Sequence, residues 1–102
     1  MAKKVFTVDF QARFYNDVEN AVKYYETRQK GLGKRFNHKV IQTLKTIKRN
    51  PHYRTFYDDV HCLQVGKFPY LIHYIIDTQH NQVSIEALIC AYQNPGDAYL
   101  KK

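Results

Sequence analysis

Five histidines, two cysteines and a cluster of cations are the groups through which this 102-residue chain could do chemistry. No phosphate-cradling glycine loop, GxSxG elbow, HExxH pair or dinucleotide fingerprint occurs, so the familiar nucleotide, serine-hydrolase and metalloprotease chemistries have no sequence support. His38, His52, His61, His73 and His80 lack the close pairing of metal ligands. His61, His73 and Glu86 meet only if three neighbouring strands share one register, and neither a metal nor another cofactor is expected. Cys62 and Cys90 stand far apart with no CxxC partner, which argues for two reduced thiols rather than a disulfide framework or a zinc site.

The cations are the stronger signal. Residues 1–49 carry a net charge of +8 and residues 50–102 a net charge of −1, so the whole positive excess is amino-terminal. Such a field steers polyanions and predicts an acidic partner, either nucleic acid or an acidic protein segment. Within it, Lys34, Arg35, His38, Lys39, Lys45 and Arg49 recur on one arc of a helical projection, opposite Phe36, Val40, Thr43, Leu44 and Ile47. A solvated helix back gives the same pattern. The nine tyrosines are spaced as core or rim residues.

Positioning these groups requires a scaffold, and its outline follows from periodicity. Residues 3–12 alternate, with Phe6, Val8, Phe10 and Ala12 on one side, predicting a strand. Phe14, Val18, Ala21, Val22 and Tyr25 then recur at helical spacing, and Asn16 with Glu19 suggests a capping box, predicting a helix over 16–29. Gly31-Leu32-Gly33 supplies the positive φ that ends one helix and starts the next, predicted over 34–49 and closed by Asn50-Pro51. Residues 60–65, 68–77 and 82–92 read as a three-stranded meander, reversing at Gly66-Lys67 and at 78–81, with Asn94-Pro95-Gly96 ending it. Strict alternation in the last strand puts Val83, Ile85, Ala87 and Ile89 inward and Ser84, Glu86, Leu88 and Cys90 outward.

The expected fold is therefore α+β: an N-terminal strand, an antiparallel helical hairpin, then a three-stranded antiparallel meander, all in one domain spanning 1–102. The hairpin covers one sheet face. His61, Leu63, His73, Ser84, Glu86, Cys90 and Tyr92 are expected on the uncovered face, where a partner would sit. With no signal peptide and no long apolar run, the chain is expected in the cytoplasm and not at a membrane.

Taken in order, Asp17, Val18, Glu19, Ala21, Tyr24, Tyr25 and Glu26, Gly31-Leu32-Gly33 with Phe36, Val40, Leu44 and Ile47, Asn50-Pro51-His52-Tyr53, Phe68-Pro69-Tyr70 with Ile72 and Tyr74, Ala87, and Asn94-Pro95 resemble the RelE/ParE toxin superfamily, whose members are often called plasmid stabilisation proteins. The resemblance implies a bacterial type II toxin neutralised by a cognate antitoxin. It implies one of two targets: the ribosome and its mRNA, which RelE-like members cut, or DNA gyrase, which ParE-like members poison without an established catalytic set. Where the family commonly has arginine after the valine of the first meander strand this chain has His61, and where it often ends the last strand with histidine and arginine it has Cys90 and Gln93. Cleaving RNA needs positive charge to stabilise the extra negative charge of the pentacoordinate phosphate, and a group to activate the 2′-hydroxyl. Under the RNase alternative His61 and Tyr99 would be the catalytic groups, with Arg54 and Lys67 as compensating cations. The favoured expectation is a ParE-like, non-nucleolytic toxin, with a degenerate antitoxin-binding relative as a further alternative. Lys34, Arg35, Lys39, Arg54, Lys67, His73, Glu86, Cys90 and Gln93 are its candidate binding residues.

Overall fold

The structure, a computed structural model, describes residues 6–52, 55–57 and 59–91. Its elements run β1 (Thr7–Phe10), α1 (Ala12–Arg28), α2 (Leu32–Arg49), β2 (Thr55–Tyr57), β3 (Val60–Gln64), β4 (Tyr70–Asp77) and β5 (Gln82–Cys90). The five strands form one sheet in the order β1-β5-β4-β3-β2. β1 is parallel to β5 at one edge, and the other pairings are antiparallel. The α+β reading holds, with one addition: β2 is too short to show a period of two, and it gives the sheet a fifth strand that the sequence pattern did not announce.

Both helices lie on the same side of the sheet, because that is where the large apolar side chains point. Phe14 and Ala21 from α1 and Phe36, Val40 and Ile47 from α2 form one buried cluster with Ile72, Tyr74, Val83, Ile85 and Leu88 from the strands. Around Phe36, the rings of Tyr25, Phe68 and Tyr70 close in at 5.0 to 5.3 Å between centroids, mostly edge to face. Quadrupole geometry favours such pairs beyond their area of contact. Tyr74 lies wholly inside the core and its phenol donates to the carbonyl of Pro51 at 2.9 Å, which ties the exit of α2 to the middle of the sheet. That hydrogen bond lets a polar atom sit among apolar neighbours at little cost.

Two boundaries differ from the sequence reading, each for a local reason. α1 starts at Ala12, so Ala12 leaves the strand, and Gln11 stands at the N-cap with no side-chain cap bond. The Asn16–Glu19 box therefore lies inside the helix. There Asp17 accepts from Arg13 Nε at 3.2 Å and from the backbone N–H of Leu88 at 3.1 Å. β1 pairs with β5 only up to Ile85, and the Asp17 carboxylate supplies an acceptor to β5 beyond the reach of β1. At the other end of the hairpin Gly31 has φ 87° and caps α2, as its position suggested. Gly33 serves differently: it is helical, and a Cβ there would come within 2.7 Å of the Val22 carbonyl oxygen, so it is a point of close approach between the helices.

Candidate functional site

The face of the sheet turned away from the helices is set by register, and register departs from strict alternation at one residue. His73 pairs with Ala87 and Tyr74 with Ile85, leaving Glu86 as the extra residue of a β-bulge. Beyond it every side chain changes side. Leu88 and Cys90, expected outward, face the helices opposite Ile72 and Tyr70, while Ala87 and Ile89, expected inward, lie on the open side opposite His73 and Leu71. β3 is likewise inverted relative to the sequence reading: His61 and Leu63 pair with Tyr74 and Ile72 on the helix side, and Cys62 pairs with His73 on the open side. The starting parity of a five-residue strand cannot be read from a sequence in which both faces are largely apolar.

These assignments correct the candidate site. His61 stacks on Tyr74 with ring centroids 5.6 Å apart and planes 18° apart, so it and His73 belong to opposite faces and the imagined triad with Glu86 does not assemble. Cys90 sits beside Tyr70 on the helix side, where burial above all, and then Cys90 and Tyr24, push the Tyr70 hydroxyl above its ordinary range. His73 does lie on the expected face, but it is completely buried. Burial first, and the charge of Arg13 second, hold its imidazole neutral by lowering its pKa to about 4. Cys62, opposite it, has its thiol pKa raised by burial. Val60, Ala87 and Ile89 are also buried, outside the cluster under the helices, so this face is not the bare surface that the sequence suggested. Arg54, Tyr92, Gln93, Tyr99 and the Asn94-Pro95 break lie outside the described residues.

Among the described strand residues, what remains accessible on the open side is acidic or neutral. Ser84 Oγ donates to Glu86 at 2.6 Å and accepts from Gln11 Nε2 at 3.1 Å. Gln82 donates to Asp9, and Asp77 accepts the backbone N–H groups of Gln79 and His80 and the His80 ring at 2.7 Å. Those bonds, led by the His80 ring, hold the Asp77 carboxyl below its ordinary range. Among the described strand residues facing this side there is no lysine or arginine.

Two other surfaces stand out. A groove of about 840 Å³ runs between α1 and α2, floored by Phe14, Val18, Val22, Val40 and Leu44 and edged by Glu26, Lys30 and Lys34. Tyr15 and Ile41 on its walls are 61% and 44% exposed, a large apolar surface to leave in water. A second groove, of about 460 Å³, shares Phe10, Ile41 and Leu44 with it and ends at Lys45 and Lys48. Lys34, Arg35 and Lys39 are exposed on α2 as expected, and the stem of Lys39 lies over Gly66, next to the exposed Lys67.

Comparison with solved structures places this arrangement. The chain superposes on the chromosomal ParDE system of P. aeruginosa with a TM-score of 0.70, 9% identity, and coverage of 84% of this chain and 96% of the other. The fold is that of the RelE and ParE toxins. The RelBE2 toxin–antitoxin complex of Mycobacterium tuberculosis follows with a TM-score of 0.62, 18% identity, and 87% and 94% coverage. The archaeal RelE–RelB complex of Pyrococcus horikoshii OT3 gives 0.55, 11% identity, and 89% and 100% coverage. No protein-family model matches the sequence, and no curated protein matches it. At these identities the shared property is the RelE/ParE-like path of the chain. No helix among the described residues is long and apolar enough to cross a membrane.

Proposed function

We propose that this protein is the toxin of a type II toxin–antitoxin pair, that it acts without cutting RNA, and that its target is DNA gyrase, in the manner of ParE. The observation that carries the reading is the charge of the open sheet face. Phosphodiester cleavage adds negative charge at phosphorus, and a site that accelerates it must present cations there. Among its described strand residues this face instead presents Asp9, Asp77 and Glu86 and no lysine or arginine, with His73 buried and neutral. His61, a catalytic candidate under the RNase reading, is committed to the helix side against Tyr74.

An antitoxin partner suits the groove between the helices. Its floor is apolar and its rim mixes Lys30 and Lys34 with Glu19 and Glu26, so an amphipathic helix with acidic flanks would cover Tyr15 and Ile41 and meet the lysines. Support for such a partner also comes from the three structural relatives, each described as part of a toxin–antitoxin system or complex.

Expression of the chain in bacteria tests the reading. Growth arrest with filamentation and an SOS response is the expected result. Arrest with rapid loss of translation and codon-spaced cuts in mRNA would replace it with the ribosome-dependent RNase, and the absence of any phenotype would favour a relative that keeps only antitoxin binding.

A further inference from the structure

We propose that the cavity between the first half of α2 and the ring of Phe68 binds a single-stranded polynucleotide, with a base against Phe68 and backbone phosphates on Lys34, Arg35 and Lys39. The proposal does not rest on the toxin reading; the cavity adjoins the groove between the helices and shares only Lys34 with it. The cavity measures about 330 Å³ and is lined by Lys34, Arg35, His38, Lys39 and Phe68. That is the lower end of small-ligand sites, about the room one nucleotide needs.

Three features point to this occupant. First, the lining holds no carboxylate, and none of the ion pairs among the described residues involves these cations. Between Glu26 and Asp58 the sequence contains no acidic residue. Second, Lys34 and Arg35 stand in the first turn of α2, where the helix dipole disfavours positive charge. Placement that costs stability is a mark of function. The cost is offset from within the hairpin: Glu26 accepts the N–H groups of Gly31 and Gly33 at 2.9 and 3.0 Å. Third, the Phe68 ring lines the cavity and is only half-buried, its place set by Tyr25 and Phe36, each 5.0 Å away in edge-to-face contact. A fixed aromatic ring among cations is the combination used for single strands, where bases stack on the ring and phosphates meet the charges. An acidic peptide would use the cations but offer the ring no planar partner, and in a duplex the bases are stacked on one another.

Fluorescence anisotropy on the full chain tests this, with labelled 12-nucleotide strands of thymidine and of uridine, an abasic 12-mer, a 12-base-pair duplex and a 12-residue polyglutamate. Both single strands are expected to bind, and a preference between them distinguishes a DNA from an RNA source. The abasic strand should bind at least about tenfold more weakly, a readout that needs no protein variant. Replacing Lys34, Arg35 and Lys39 by glutamine should weaken binding of the intact strand roughly a hundredfold at about 0.1 M salt, and lower the salt-dependence slope by about 2. The proposal is overturned if neither strand binds, if the abasic strand, the duplex or polyglutamate binds as tightly, or if the triple variant is unchanged.

Discussion

His73 shows how far a single residue's chemistry depends on where the strand register puts it. In water an imidazole has its pKa near 6.5, but in the folded chain burial and the Arg13 charge bring it down to about 4. The unfolded chain therefore binds a proton between these values that the folded chain refuses, so this residue favours folding fully above pH 6.5 and that contribution is lost as pH falls toward 4. The loss amounts to roughly 3 kcal/mol. Urea titrations at a series of pH values should show it as a falling midpoint, and His73→Gln should flatten the curve over that window. An unchanged pH dependence in the variant would mean that His73 is not the titrating group. Gly33 makes a second prediction at this scale. Gly33→Ala adds a methyl group 2.7 Å from the Val22 carbonyl oxygen, and backbone cannot swing aside as a side chain can. Thermal unfolding should reveal a loss of about 1–3 kcal/mol despite alanine's better helix propensity.

At the scale of elements, the bulge at Glu86 decides which side chains of β5 meet the helices. Leu88 packs in the core beneath α1 and α2, so Leu88→Ala should cost about 2–5 kcal/mol by denaturant unfolding, where strict alternation would make it a nearly neutral surface change. Much of the scaffold was legible in the sequence: the period of Phe14, Val18, Ala21, Val22 and Tyr25, the amphipathic α2 with its Asn50-Pro51 stop, and the central position of β4 all reappear. The misses share one physical origin. A bulge changes the face of every later residue without altering composition, and in β3 His61, Cys62 and Leu63 are all half-buried, so hydropathy carries no parity. Hence Cys90, His61 and Leu63 were placed on the wrong face, whereas Lys34, Arg35 and Lys39, fixed by helical period alone, lie where expected. The carboxylate of Glu26 beneath Gly31 and Gly33 had no sequence signature beyond its spacing, because the contact exists only once the helices fold back on each other.

Over the whole molecule, charge is divided by side. The hairpin, residues 12–49, carries a net +7, whereas among the described strand residues the open sheet face carries carboxylates and no lysine or arginine. On the proposed reading, the fold shared with RelE and ParE serves here as a binding scaffold, since the described strands of the open face offer no lysine or arginine to a cleaving phosphate. Purified protein added in parallel to mRNA-programmed ribosomes and to gyrase with relaxed plasmid measures this directly. The account predicts intact mRNA and loss of supercoiling; mRNA cut within the codon in the ribosomal A site, with supercoiling untouched, would contradict it.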